Sequence, residues 1–568
     1  MNKLWLWFNN QSLRVKLITL FLITGLIPFG VAVYYALNQA SQVLEAQIVQ
    51  ATEGVRDARK LLAANYFNNR TVGATMMAQS VKDFWVEALS KQQALHDAKK
   101  KSIEQYFADF YKAVEDTRQN PSTVDDLKRL TAALAKGLDS PEYKQANTVA
   151  QKNVAAIAHL TGGSEVMLID AAGNAVFASA GKGDLGGNVK TGSLKESGLA
   201  RLFNKTHDRV GIEDYSAYEG AGNALTAFIG GPIVDGNGQY LGMLAFEIPT
   251  EFIDSIMQDR TGMTESFESY LVGKFGDRVT LRSDRVVLKG KIGDPKAGAD
   301  VDAIMAGKSG YEMKRGEIDK VFKLTLYAPL QIAGLQWGII TAGTMEQLFT
   351  PANFENTKTS YYQDYIKRFD ISDLLLVAPD GEVFYSVAHR ADYLTNLVNG
   401  SYSDTNLAKL FRKVRDSKQI GFADFETYAP WNNEARGFIA VPVISQGEVL
   451  MVMIEHVSAA ETNKLMADRS GLGKSGDSYL IGSDKLARSD SLQDSARNVK
   501  DSFADPNKHL IVNASVDAIV AGKTSETDEF YQDYRGHRVV GAFTTIDALG
   551  SKWIVFVKQD LTEAFEPV

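Results

Sequence analysis

The strongest constraint on this chain is that it repeats itself. RTGMTESFESYLVG at residues 260–273 returns as RSGLGKSGDSYLIG at residues 469–482, with seven of fourteen positions identical. VDAIMAGK at 301–308 returns as VDAIVAGK at 516–523, and LARLFNK at 199–205 as LAKLFRK at 407–413. Asp214, Tyr218, Phe228 and Pro232 return as Asp424, Tyr428, Phe438 and Pro442, each 210 residues later. Arg282-Ser283-Asp284 matches Arg488-Ser489-Asp490, and Trp337 matches Trp553. Ordered matches at a period of 206–216 residues require a duplicated folding unit.

Each repeat divides again. VMLIDAAGNAVFAS reads as strand, turn and strand, and LTAFIGGPIVDGNGQYLGMLAFEI as a long hairpin turning at DGNG. Strands interleaved with helical stretches predict an α+β fold with four β-centred modules near 163–255, 266–347, 370–460 and 475–562. The repeats span 163–351 and 370–568, with a linker helix at 352–369. Residues 38–162 read as a long helical stalk or bundle, because Ala, Gln, Glu, Lys and Leu dominate and Pro is absent until Pro121. Ile103, Phe107, Phe110 and Val114 make a one-sided apolar stripe. Asn120-Pro121 and Ser140-Pro141 mark breaks.

Residues 17–37 carry no charge over 21 positions. At about 1.5 Å per residue a helix of that length spans roughly 31 Å, the thickness of a bilayer core. Lys3, Arg14 and Lys16 precede it, and Arg56 is the only basic residue in the twenty that follow. That asymmetry predicts a transmembrane helix with residues 1–16 in the cytoplasm and 38–568 outside. The run is longer than the apolar core of a cleaved signal peptide.

The composition argues against several function classes. The net charge is -8, from 61 basic and 69 acidic residues, which does not suit a nucleic-acid-binding chain. With no cysteine there is no disulfide, thiolate nucleophile or cysteine metal site. The seven histidines do not pair at metal-ligand spacing. Gly471–Gly476 lacks the upstream glycine of a phosphate loop, since Asp468 stands there, and no G-x-S-x-G elbow occurs. Neither enzyme activity, a cofactor nor a metal is expected.

The second repeat resembles the extracytoplasmic sensor region of bacterial methyl-accepting chemotaxis proteins of the double Cache type. The residues that carry the resemblance are SDLLLVAPDGEVFYSVAHRADYLTNLVNGSYSDTNLAKLF, FADFETYAPWNNEARGFIAVPV, DRSGLGKSGDSYLIGSDKLARSDS and WIVFVKQDLTEAFEPV. The first repeat is similar but weaker. The resemblance implies two PAS-like antiparallel modules stacked on a long helix in each repeat, the distal one holding a small-molecule ligand. It further implies an inner-membrane receptor with a periplasmic sensor, a homodimer formed through the helix of residues 38–118, and cytoplasmic chemotaxis proteins as partners. The family carries one such unit where this chain resembles two in tandem. The family also continues into a second membrane helix, a HAMP linker and a methylated coiled coil, so the chain is expected to be the sensor portion of a longer receptor. The alternatives are the sensor region of a histidine kinase or nucleotide cyclase, and a single-pass anchored binding or scaffold protein. The Arg-x-Trp-Tyr cluster of amino-acid-binding members is absent from both distal modules.

A small-molecule site needs an apolar wall and a few convergent polar groups. In the second distal module Asp424, Tyr428, Trp431 and Arg436 fall within thirteen residues, and Tyr385 and Tyr393 extend the aromatic wall. Asp and Arg are suited to an amine and a carboxylate, and Trp to a cation–π contact. The first distal module keeps Asp214 and Tyr218 but places Ala221 and Thr226 where Trp431 and Arg436 stand. The two are therefore not expected to bind the same solute; one repeat is expected to sense and the other to space. Arg282 with Asp284, and Arg488 with Asp490, lie two apart on strands of the proximal modules and share a face, as internal ion pairs or sites. Their repetition favours a structural role.

Overall fold

The computed structural model describes residues 2–160, 165–181, 184–316, 319–349, 360–511, 514–522, 525–533 and 535–566. Among these, one helical run is long and apolar enough to cross a membrane. It comprises Leu13–Phe21, a wider π turn at Leu22–Leu26, and Ile27–Arg118. Pro28 has no N–H for the carbonyl of Thr24, and the helix widens in the turn just before it. Phe21, Phe29 and Tyr34 of the uncharged run stand exposed.

The chain forms two compact units, residues 83–351 and residues 1–82 with 352–568, and both draw on the long helix. In the unit of residues 83–351, the helix ends at Arg118 and the next, Pro121–Leu134, starts under an Asn120 cap that accepts from the Ser122 N–H. A third helix runs Pro141–Leu160. The first sheet contains β1 (Val166–Asp170), β2 (Ala175–Ala178), β3 (Gly211–Tyr218), β4 (Ala224–Val234) and β5 (Tyr240–Ile248), in the order 2-1-5-4-3. Asp235 accepts from the Asn237 and Gln239 N–H groups, and Gly238 takes a φ of 81°, which closes the predicted DGNG hairpin.

Strand alternation explains how this sheet is buried on both faces. Val166 and Leu168 of β1 pack with Ile103, Phe107, Phe110 and Val114 of the long helix. Met167 and Ile169 pack on the opposite face against Leu199, Leu202 and Phe203 of helix Gly198–Lys205. The apolar stripe is therefore consumed inside its own chain. The helix over these residues is packed into the fold together with the two helices that follow it. The second sheet contains β6 (Glu268–Phe275), β7 (Arg278–Leu281), β8 (Gly310–Arg315), β9 (Phe322–Pro329) and β10 (Trp337–Thr344), in the order 7-6-10-9-8.

The other unit repeats the plan. Its first sheet contains β11 (Leu374–Val377), β12 (Val383–Ser386), β13 (Gly421–Tyr428), β14 (Glu434–Ser445) and β15 (Glu448–Ser458), in the order 12-11-15-14-13. Helix Asn406–Ser417 buries Leu407, Leu410, Phe411 and Val414 against it. The second contains β16 (Asp477–Gly482), β17 (Ser525–Gln532), β18 (Arg538–Ala548) and β19 (Ser551–Asp560), in the order 16-19-18-17. The counterpart of β7 shrinks to a bridge between Ile481 and Ala487. Among the described residues all four sheets are antiparallel, and the fold is α+β as expected. Of the linker expected at 352–369, residues 352–359 lie outside the described residues; the remainder holds helix Tyr361–Arg368, which starts in a Ser360–Gln363 capping box.

In this unit the long helix is pinned by buried charge and by aromatic packing. Arg70 lies 3.3 Å from Glu455 and 3.8 Å from Glu461, with Tyr66 and Tyr365 hydroxyls donating to Glu461 and Glu455 at 2.6 and 2.7 Å. Burial pushes both carboxyls above their usual range, Arg70 opposing it. Phe67 stands edge-on to Trp553 at 5.1 Å and to Phe422 at 5.6 Å. Phe67→Ala should destabilise this unit by about 3–5 kcal/mol, because a fully buried ring leaves a cavity, and urea unfolding followed by tryptophan fluorescence reads the loss.

Candidate functional site

A β-bulge decides which residues share the candidate site. On β13 the register with β14 shifts between Ala423 and Glu426, so Asp424 and Tyr428 do not follow simple alternation. Asp424 is committed elsewhere. Its carboxylate takes a forked pair from Arg488, Nε and Nη2 at 2.8 and 2.9 Å, and accepts from the Phe425 N–H. The expectation that Asp424 holds a ligand amine is corrected on this point. The first repeat has the same bulge, between Glu213 and Ser216, and the same pair: Asp214 is held by Arg282 at 2.9 Å and by the Trp337 indole N–H at 3.0 Å.

The expected face-sharing pairs also resolve differently. Arg282 bonds Asp214, whereas Asp284 accepts from the Lys291 side chain and from the Ile292 N–H, the latter at 3.0 Å. Arg488 bonds Asp424 and Asp484, whereas Asp490 accepts from Asn463 at 2.7 Å and from the Val499 N–H at 2.8 Å. Neither arginine pairs with the aspartate two residues on, because each guanidinium reaches back to the preceding module.

Tyr428, Trp431 and Arg436 do come together. Tyr428 is fully buried and donates to Asp392 Oδ2 at 2.8 Å. Burial and the Asp392 charge hold the phenol far above its ordinary range, and burial raises the Asp392 carboxyl. The Trp431 ring lies under two guanidinium groups, Arg436 at 4.2 Å and Arg390 at 4.5 Å. Arg436 bonds Ser372 Oγ at 2.7 Å and Glu434 at 2.5 Å. His456 on β15 closes the group, with ring centroids 5.6 Å from Trp431, 6.0 Å from Tyr428 and 4.8 Å from Phe438.

Five buried polar atoms in this cluster have no protein partner among the described residues: Asp392 Oδ1, Trp431 Nε1, Arg436 Nε, and both ring nitrogens of His456. Each such atom costs about 1–3 kcal/mol when left unsatisfied, so a folded domain holds few of them. The set offers donors at Trp431 and Arg436, an acceptor at Asp392, and an amphoteric imidazole. Burial, with Arg436 adding to it, lowers the His456 pKa to about 3, so the ring is neutral at pH 7. A cleft of about 480 Å³ lined by Ser372, Asn433, Glu434, Arg436, Ser458 and Lys500 opens beside Arg436.

Tyr385 is buried and packs against Tyr362 with ring centroids 5.2 Å apart. Tyr393 lies against His389 at 4.5 Å, in the loop that carries Arg390 and Asp392. In the first repeat, Tyr218 is buried edge-on to Phe228, and burial, with the Asp184 charge adding to it, raises its pKa. The pair Tyr218–Asp184 thus repeats Tyr428–Asp392. The bridges Asn174–Asn188 and Glu382–Asn396 align Asp184 with Asp392, four residues before each second Asn. Sequence reasoning missed Asp392, Arg390 and His456. The repeated D-x-x-x-N spacing was the available signal for Asp392; His456 carried none, since Glu247 occupies its place beside Phe228.

No protein-family model matches the chain, and no curated protein matches it. Solved structures similar to about half of it include the ligand-binding domain of the Pseudomonas aeruginosa amino acid chemoreceptor PctB with L-Gln. That match has 15% identity over 49% of this chain and 97% of that one, with a TM-score of 0.30. The ligand-binding domain of the Pseudomonas fluorescens chemoreceptor CtaA with L-serine has 9% identity over 47% and 98%, with a TM-score of 0.29. The extracellular domain of a histidine kinase, rpHK1S-Z16, has 12% identity over 45% and 97%, also at 0.29.

His456→Phe should stabilise the ligand-free chain by about 1–3 kcal/mol, because it removes two unpartnered nitrogens from an aromatic shell. The native histidine binds its proton only when unfolded, so its contribution falls as pH drops from 6.5 towards 3, by up to about 1.4 kcal/mol per unit. The difference between native and His456→Phe stability, from urea unfolding at pH 7, 6 and 5, should widen accordingly. Asp424→Asn should cost about 1–3 kcal/mol in the same assay, because it removes the charge of the fork while Arg488 keeps Asp484, with ligand affinity unchanged.

Proposed function

We propose that the chain is the ligand-sensing region of a membrane-anchored chemotaxis receptor, with residues 38–568 outside the cytoplasm. The cluster around Trp431 in the second repeat binds a small zwitterionic solute, an amino acid in the first instance. The five unpartnered polar atoms carry this reading. A ligand carboxylate satisfies Arg436 Nε and Trp431 Nε1, and a ligand ammonium satisfies Asp392 Oδ1. His456 takes the remaining hydrogen bond. The ligand class is read from this placement of charge.

The route outward runs through one strand. Successive residues of β15 face opposite sides: His456 enters the site, and Glu455 meets Arg70 of the long helix. The His456 carbonyl also accepts from Arg70 at 3.3 Å. A ligand that shifts β15 against the helix biases the contacts at Arg70, and a coupling of about 1–3 kcal/mol suffices for a signal.

Thermal melting of the chain with the twenty L-amino acids tests the site. A ligand raises the melting temperature with dose by binding the folded state. Arg436→Ala and Asp392→Asn should each weaken it at least tenfold, since each removes one end of the zwitterion. The reading is overturned if no amino acid shifts the melting of the folded chain, or if both variants bind as the native chain does.

A further inference from the structure

The two repeats differ at one corresponding place in their second sheets. Strand register sets the correspondence. Ala342 of β10 pairs with Glu268 of β6 on one side and Thr325 of β9 on the other. Lys558 of β19 pairs in the same way with Asp477 of β16 and Gly541 of β18. In the second repeat the Lys558 side chain is 1% exposed and crosses the sheet face to Asp533, with Nζ to Oδ2 at 2.8 Å. Gly541 faces it across the ladder, and the Tyr531 ring covers that glycine closely enough that a Cβ there would lie 2.8 Å from it. The space over this sheet is occupied by the chain's own lysine and tyrosine.

In the first repeat the lysine is Ala342, and a cavity of about 290 Å³ remains. That is the room of roughly ten waters, enough for a small organic acid. Tyr270 and Ala342 give it an apolar floor. Its wall carries Arg285, Lys296, Lys314 and Lys323, each beside a carboxylate, Glu268, Asp300, Glu312 and Asp319 respectively. Arg285 is held in place by Glu268 and lies 4.0 Å over the Tyr270 ring. The Lys323 side chain is mostly buried beside Asp319, and Lys296 stands 3.5 Å from Asp300 Oδ2. Asp300 is 5% exposed and lines the cavity, and its Oδ1 has no partner among the described residues.

We infer that this cavity is a second ligand site, separate from the cluster around Trp431, and that it takes a small hydroxycarboxylate. The ligand carboxylate lies among Arg285, Lys296 and Lys323, its hydroxyl donates to Asp300 Oδ1, and its carbon skeleton rests on Tyr270 and Ala342. The second repeat has no such site, because Lys558 fills the position. Arg285 and Lys323 are the more buried cations and share their charge between their own carboxylates and the bound anion, and a donor on that anion satisfies the lone Asp300 oxygen, which is why the hydroxyl is part of the recognition.

Calorimetric titration of the full chain in detergent with L-malate tests this, with succinate as the probe that lacks the hydroxyl. L-malate should bind, and succinate should bind at least tenfold more weakly. Ala342→Lys combined with Thr325→Gly installs the residues of the second repeat and should abolish binding with the circular dichroism spectrum unchanged. Lys323→Val, which carries the residue found at the matching position Val539, should weaken L-malate at least tenfold and decides the matter if the double variant does not fold. Arg436→Ala should leave L-malate binding intact, which separates this site from the one around Trp431. No heat from L-malate, equal affinity for succinate, or binding that survives Lys323→Val would overturn the proposal.

Discussion

A buried aspartate–arginine fork joins the two sheets of each repeat, and much of the rest is arranged around it. Asp214 and Asp424 occupy matching strands, Arg282 and Arg488 follow matching positions of the second sheet, and the two pairs meet in the same geometry. Both arginines are 2% exposed, so water does not compete for them. Desolvating such a pair offsets most of its Coulomb attraction, and the gain lies in geometry rather than in stability. A planar guanidinium on a carboxylate admits one orientation of the partners. The β-bulge beside each aspartate serves the same end by turning the carboxylate towards the next sheet. The tryptophans reinforce the joint differently: Trp337 donates to Asp214, whereas Trp553 packs its ring among Phe67, Phe422 and Phe425.

With the sheets held in this way, strand alternation can give one strand two tasks. β15 sends Glu455 to the long helix and His456 into the aromatic cluster around Trp431, with a single peptide between them. On the helix side one guanidinium, Arg70, faces two carboxylates and two tyrosine hydroxyls donate to them, with Arg70 Nε and Glu455 Oε2 left without a hydrogen-bond partner among the described residues. The face around Trp431 carries donors and acceptors without a partner among the described residues.

Duplication supplied two frames, and substitution inside them supplied different contents. The tyrosine–aspartate pair is kept in both distal modules, yet Arg436 and His456 become Thr226 and Glu247. In the proximal modules the exchange runs the other way: Lys558 fills what Ala342 leaves open. Single residues on a shared ladder thus decide how space and charge differ among four similar modules. The frame tolerates this because the exchanged side chains lie over the sheets, whereas the forks and helix contacts that set the architecture are untouched.

Much of the architecture is legible in the sequence. The repeat, the hairpin at Asp235–Gly238, the helix breaks at Pro121 and Pro141, and the four β-centred modules follow from local rules of turn chemistry, periodicity and self-similarity. Tyr428, Trp431 and Arg436 are legible too, because they crowd into a short stretch around one turn. What sequence could not decide was direction. The bulge that turns Asp424 away from the site depends on pairing with β14, and the apolar stripe of Ile103 to Val114 reads the same whether it faces its own sheet or another molecule. Arg390 and Asp392 are far from His456 along the chain and meet it only because β15 runs beside β11 and β14. Local composition and spacing therefore determined the elements and their repetition, while tertiary pairing decided which charges are paired and which polar atoms are left without a partner among the described residues.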